Sequence, residues 1–234
     1  MGYIYFDYSY FMFMIPALIL SLIAQARVNS AFNKYSKVKN SKGLTASDVA
    51  MRVLSQNGVT GVKVERVSGR LTDHFDPRTN VIRLSDDVYN STSVAAIGVA
   101  AHEAGHAVQY AKGYVPIKIR SFLIPITQFG SRLAVPLVIV GLILPTQYSF
   151  VVMLGIVLYA FAVLFEFVTL PVEINASNRA ISTLDETEIL YGSELDGAKR
   201  VLRAAAMTYL AATFTAVVSL LRLVFIASQR SGRD

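Results

Sequence analysis

The chain of 234 residues is 53% hydrophobic and only 16% charged, with a mean hydropathy of +0.47. A soluble fold of this size covers its surface with about 25% charged residues, so the balance excludes an ordinary soluble globule and points to a membrane protein with the lipid bilayer as its surroundings. The absence of cysteine excludes disulfide staples and thiolate metal sites, leaving His, Asp and Glu to hold any metal. The formal charge of +6 forms no aromatic-interleaved basic patch, so nucleic acid is not an expected partner. The cations lie beside apolar runs, where they set membrane topology.

In chain order, residues 1–25 carry the first of four apolar stretches, at 7–25, 121–144, 147–169 and 203–227. Each is near the roughly 20 residues that a helix needs to cross the hydrocarbon core. The first ends at Ala24–Ala26, "AQA", which has the small-x-small look of a signal-peptidase site. Asp7 is the only charge before it, and without a basic leader the stretch reads as a retained anchor. Residues 26–120 hold 14 of the 22 Lys and Arg against 7 acids, whereas "PTQYS" at 145–149 has no charge. Basic loops stay in the cytoplasm, so 26–120 and 170–202 are expected to face inward. Arg230 and Arg233, beyond the last stretch, argue weakly the other way.

Within 26–120, Asn33–Ser41 reads as a linker. "GLTASDVAMRVLSQNG" has a capping-box pattern at Thr45 and Asp48 and a left-handed stop at Gly58, so it predicts a helix. "VKVERV" (62–67) alternates with period two, and "LTDHFDPRTNVIRLS" (71–85) predicts two short strands around a Pro-containing turn. "VIRLS" (81–85) is expected to offer an open sheet edge to an extended peptide. "STSVAAIGVAAHEAGHAVQYAKG" (91–113) has Ser/Thr caps, helix formers and a closing Lys112–Gly113, which together predict a long helix. The fold expected is mainly α: about four transmembrane helices plus a small α+β unit with a short hairpin or sheet. The chain divides into 1–25 (N-terminal transmembrane helix), 26–120 (cytoplasmic α+β segment), 121–169 (two transmembrane helices), 170–202 (helical segment) and 203–234 (last transmembrane helix and tail).

The predicted helix contains "HEAGH". Helical positions i and i+4 are about 40° apart, so His102 and His106 project from one face and can bind one Zn²⁺. Glu103 lies about 100° around, too far to be a ligand but near enough to take a proton from a water that the metal activates. Three titratable groups among Val, Ala and Ile are costly unless something satisfies them, and a zinc ion does so. Ala104 and Gly105 are small enough to let a substrate or another helix come close. A third ligand must be acidic, because His74, the remaining histidine, lies in the hairpin. Glu173 in "TLPVEINASNRAI" and Asp196 in "SELDGAKR" are the two candidates.

"HFDPRTNVIRLS", "GVAAHEAGHAVQ" and "LPVEINASNRA" resemble the three signature blocks of the YugP-type neutral zinc metallopeptidases of bacterial membranes, a gluzincin-like family. The likeness runs from about residue 30 to the last apolar stretch. It implies a membrane metallopeptidase activity, in a zincin-like catalytic unit, with zinc as cofactor. The third block also resembles, more distantly, the E-x-x-A-D-x-x-A segment of the HtpX and CAAX prenyl proteases, which implies that Glu173 is the third zinc ligand. The aspartate of that pattern is Ser177 here, so carboxylate support for a ligand histidine is weaker or comes from elsewhere. "LDG" at Asp196 has a counterpart in site-2 intramembrane proteases but lacks their preceding Asn and Pro; the first turn of the last helix, capped by Ser193, is its plainer place. Arg179 and His74 are expected to stabilise the oxyanion. The function expected is therefore a membrane-embedded zinc endopeptidase of the bacterial plasma membrane, with its site facing the cytoplasm and a membrane-associated protein or peptide as substrate. Other membrane proteins or further copies of the chain are possible partners. A site-2-like enzyme using Asp196, a zinc-binding scaffold without catalysis and a metal or proton transporter are the alternatives.

Overall fold

The computed structural model describes residues 8–231; Asp7 and Arg233, which bear on topology above, lie outside them. The elements are α1 (Tyr8–Tyr35), α2 (Ala46–Gln56), β1 (Lys63–Val67), β2 (His74–Asp76), β3 (Val81–Ser85), a single turn α3 (Asp86–Tyr89), α4 (Val94–Ala111), α5 (Val115–Ile143), α6 (Phe150–Glu186) and α7 (Gly192–Ser231). Four stretches, Phe11–Tyr35, Val115–Ile143, Thr146–Glu186 and Gly192–Gln229, are helical, long and apolar enough to cross a membrane. The protein is thus a mainly α membrane protein with a small sheet.

These helices run beyond the stretches expected from hydropathy. The first continues through "AQA" to Tyr35, α5 begins at Val115 rather than near 121, and α6 continues without a break through Pro171 to Glu186. Hydropathy marks where the chain is greasy, not where the backbone hydrogen bonding stops. Proline is tolerated inside such helices when neighbours absorb the missing N–H bond.

The chain forms two compact units. Among the described residues, one comprises 8–23, 119–170 and 209–231. In it α5 and α6 approach through glycines: a Cβ on Gly141 meets Val152 Cγ2 at 2.7 Å, and one on Gly155 meets the Ala134 oxygen at 2.7 Å. Small residues are what permit such backbone proximity where no water drives helices together.

The other unit comprises 24–118 and 171–208. Its sheet has the order β1–β3–β2, with β1 parallel to β3 and β2 antiparallel. The hairpin is as expected, but "VIRLS" lies in the middle rather than at an edge. Val81, Ile82, Leu84 and Ser85 are all buried, the mark of a strand covered on both faces. The outer strand beside α4 is β2 instead, and Glu103 of α4 bonds its Phe75 amide. Val49, Val53, Ile82, Leu84, Ile97 and Leu184 join in one core, so that α2, the sheet, α4 and the end of α6 are held together.

The termini of α2 and α4 are made by the signals that the sequence carries. Thr45 accepts from the Asp48 amide while Asp48 accepts from the Thr45 amide, and Gly58 sits at φ +70°. Ser93 accepts from the Ala96 amide, and Gly113 sits at φ +66°. The linker is pinned beside α4, since Lys39 and Ser93 form an antiparallel bridge and Asn40 donates to the Thr92 carbonyl at 2.7 Å.

Candidate metal centre

The centre is built on α4 and the last four turns of α6. Gly105 stands between the two histidines, and a Cβ there would lie 2.6 Å from the Ala176 carbonyl oxygen. The backbones therefore touch where only glycine fits, which settles the role of this small residue as helix packing. That contact brings Glu173, one turn before Ala176, against the imidazoles. His102 Nε2 lies 3.1 Å and His106 Nε2 3.4 Å from the same oxygen, Glu173 Oε2. The three ligand-type atoms fall within 4.8 Å of one another, and Glu173 is only 2% exposed.

The hydrogen bonds around the cluster fix its electronic character. Gln109 Nε2 donates to the Val172 carbonyl at 2.8 Å and to Asn175 Oδ1 at 3.0 Å. A carbonyl can only accept, so the amide orientation is determined and Gln109 Oε1 faces His106 Nδ1, 3.0 Å away. Nδ1 must then carry the proton. In a neutral His106 the Nε2 lone pair points at the Glu173 carboxylate, two acceptors face to face in a buried place. Such an arrangement calls for a cation between them, and two imidazoles with one carboxylate are the donor set of catalytic zinc. The residues present thus fit Zn²⁺, which is the cofactor.

Without the metal, a proton does the same work. Burial by itself lowers the pKa of His106, but the bond to Glu173 and the charges of Glu103 and Glu173 outweigh it and hold the imidazole above its ordinary 6.5.

On the other imidazole, His102 Nδ1 lies 3.0 Å from Ser177 Oγ. The position where the HtpX-like pattern has an aspartate does support a ligand histidine here, with a neutral hydroxyl in place of a carboxylate. Glu103 Oε2 accepts the Phe75 amide of β2 at 2.9 Å, so the edge of the sheet aims this carboxylate. Glu103 is 9% exposed.

Two expected site residues are placed differently. Arg179 directs its Nε to Asn175 Oδ1 at 2.8 Å; one helical turn separates them, and the guanidinium ends a chain that runs through Asn175 and Gln109 to His106. His74 is exposed on β2, with Nδ1 2.7 Å from the Thr72 carbonyl. That carbonyl requires the proton on Nδ1, so a neutral His74 has none on Nε2 to offer an oxyanion. Asp196 is exposed in the second turn of α7 and is not part of the cluster. Ser193 lies inside the first turn of that helix, which starts at Gly192, rather than capping it.

Gln109 and Asn175 were not singled out from the sequence. For Gln109 a signal existed, since it follows His106 at the i+3 spacing that lets helical side chains meet. Asn175 stands at the i,i+4 spacing from Arg179 that allows their contact, but its bond to Gln109 joins two helices and has no local signal.

Residues 10–228 match the sequence model of a family described as "Putative neutral zinc metallopeptidase". The chain is 44% identical over 220 residues to a protein of Bacillus subtilis (strain 168) named "Putative membrane protease YugP", covering 94% of this chain and 96% of that protein. No solved structure matches the chain significantly.

Proposed function

The chain belongs to the neutral zinc metallopeptidase family, and from that premise we propose that it is a multi-pass endopeptidase of the bacterial plasma membrane that uses Glu103 as general base. His102, His106 and Glu173 are the residues that hold the zinc. The observation that carries this reading is the convergence of both Nε2 atoms on the buried Glu173 carboxylate, at 3.1 and 3.4 Å. Bound there, Zn²⁺ supplies Lewis acidity, polarising the scissile carbonyl and lowering the pKa of a water to about 7.

The protein's own groups do the rest. Glu103 has one oxygen fixed by the Phe75 amide, which leaves the other to take the proton of the attacking water and return it to the leaving amine. Gln109 keeps His106 in the tautomer that presents Nε2, and Ser177 orients His102. Arg179 is a positioning residue in this reading, acting through Asn175. His74 serves the oxyanion only as its imidazolium. The basic 26–120 segment supports a site on the cytoplasmic side, where membrane-associated peptides and proteins are the substrates in this reading. The division expected from the sequence, with catalytic residues on 26–120 and 170–202 between membrane-spanning helices, belongs to the same proposal.

The test is metal content and peptide hydrolysis of the purified protein beside Glu103→Gln, Glu173→Ala and Asp196→Ala. The expected result is zinc retained but hydrolysis lost in Glu103→Gln, zinc lost in Glu173→Ala, and both kept in Asp196→Ala. Zinc lost from Asp196→Ala and retained in Glu173→Ala sinks the ligand assignment. Cleavage undiminished in Glu103→Gln sinks the base, and zinc binding with no cleavage by the parent protein leaves a scaffold.

A further inference from the structure

Next to Ser177 the unit has a cavity of about 180 Å³ between α6 and α7, lined by Ser177, Asn178, Ile181, Lys199, Leu202 and Arg203 among others. At about 30 Å³ per water, this is room for a headgroup-sized ligand. Its lining has two cations and no acid. Lys199 and Arg203 are four residues apart on α7, so they share a face, and among the described residues neither takes part in an ion pair. Lys199 is half-buried and Arg203 exposed; like charges at this spacing repel mildly, and an anion between them relieves that repulsion. Ile181 and Leu202 give the same cavity an apolar wall.

Ser177 belongs to both places. It lines this cavity, and its Oγ lies 3.0 Å from His102 Nδ1. A hydroxyl can accept from the imidazole N–H with a lone pair while donating its own proton elsewhere. A carboxylate is the commoner partner of a metal-bound histidine, because its charge raises the basicity of the ligand. Here the position has a neutral group, with a cationic cavity immediately behind it.

We propose that this cavity binds a phosphate-type oxyanion between Lys199 and Arg203, and that the anion accepts the Ser177 hydroxyl proton, so that Ser177 and the anion together give His102 the negative support that a carboxylate would otherwise provide. The anion is either the headgroup of an acidic phospholipid, whose chains follow the apolar wall, or a free tetrahedral oxyanion. In either form it couples the zinc affinity of the site to the anions around it. The inference rests on the zinc site proposed above, with His102 as a ligand.

The experiment measures zinc affinity by chelator competition on the full chain, in nanodiscs of phosphatidylcholine, in nanodiscs of phosphatidylcholine and phosphatidylglycerol in equal parts, and in phosphatidylcholine with sodium sulfate against sodium chloride at matched ionic strength. Zinc binding in plain phosphatidylcholine tests the site itself, and its absence there counts against the ligand assignment rather than the cavity. Outer-shell partners of metal ligands are worth about 10–100-fold in affinity; an anion acting through Ser177 is expected to strengthen zinc binding about tenfold, the lower end of that effect. A response to phosphatidylglycerol alone identifies the headgroup, and a response to sulfate as well identifies a free oxyanion. Lys199→Gln with Arg203→Gln is expected to abolish the response and leave the affinity in plain phosphatidylcholine unchanged. Ser177→Ala is expected to abolish the response by removing the link to His102. The proposal is overturned if neither anion changes zinc affinity, or if the double variant responds as fully as the parent, since the effect is then a property of the charged bilayer surface and not of the cavity.

Discussion

Gly105→Ala probes the packing that assembles the metal centre. The added methyl lies 2.6 Å from the Ala176 carbonyl oxygen, whereas an ordinary carbon–oxygen contact is about 3.3 Å. The obstacle is backbone and cannot swing aside, so α4 and α6 must part by about 0.7 Å at that point. The histidines lie on one helix and Glu173 on the other, and metal–ligand distances tolerate only about 0.2 Å. Zinc affinity is therefore expected to fall by at least about tenfold, as for loss of an outer-shell partner. The stability of the metal-free protein is expected to fall by no more than about 2 kcal/mol, because overpacking costs about 1–3 kcal/mol and replacing a mid-helix glycine by alanine returns about 1 kcal/mol. The assay is zinc titration by chelator competition, with thermal unfolding of the metal-free protein alongside. A Gly105→Ala protein that binds one zinc with the parent's affinity refutes the argument that this helix contact sets the ligand geometry.

Gln109→Leu removes the acceptor that holds the proton on His106 Nδ1 and is expected to weaken zinc binding about 10–100-fold, read by the same titration, with the carbon signals of the ring reporting a mixed tautomer. For pH, the metal-free His106 is held above 6.5, so its contribution to metal-free stability is full below pH 6.5 and is lost as pH rises through the raised value. Zinc must displace that proton, so zinc affinity rises across the same interval; thermal unfolding of the two forms against pH is expected to slope in opposite directions, and parallel slopes count against the assignment. Thr45→Ala removes the hydroxyl that accepts the Asp48 amide in the α2 capping box, while the backbone N–H at position 45 still donates to Asp48; it is expected to cost about 1 kcal/mol of stability by thermal unfolding, while leaving zinc affinity unchanged because α2 gives no ligand.

How much of this was legible in the sequence depends on the distance along the chain over which each feature is made. The pairing of His102 with His106 follows from the helical period, and the ends of α2 and α4 follow from Thr45, Gly58, Ser93 and Gly113, each acting within a turn of its own position. The four membrane helices are visible because lipid imposes a minimum apolar length on any helix that crosses it. Their full extents are not, because a helix continues wherever packing satisfies its backbone, as α6 does through Pro171.

The third corner of the metal centre is different. Composition and spacing left Glu173 and Asp196 both open, and only the family resemblance favoured Glu173. In the fold, the choice comes from the contact of Gly105 with Ala176, which sets Glu173 against the two imidazoles and leaves Asp196 exposed on α7. The same contact carries Gln109 to Asn175 and Ser177 to His102. Likewise, alternation marked β3 as a strand but could not say that β1 would pair with it in parallel and move it to the centre. The sequence determined the local chemistry, because helix period, capping and hydropathy act between near neighbours. The tertiary structure alone decided which acid, which amide and which hydroxyl meet that chemistry, because those meetings join residues more than 60 positions apart and depend on how closely two helices can approach.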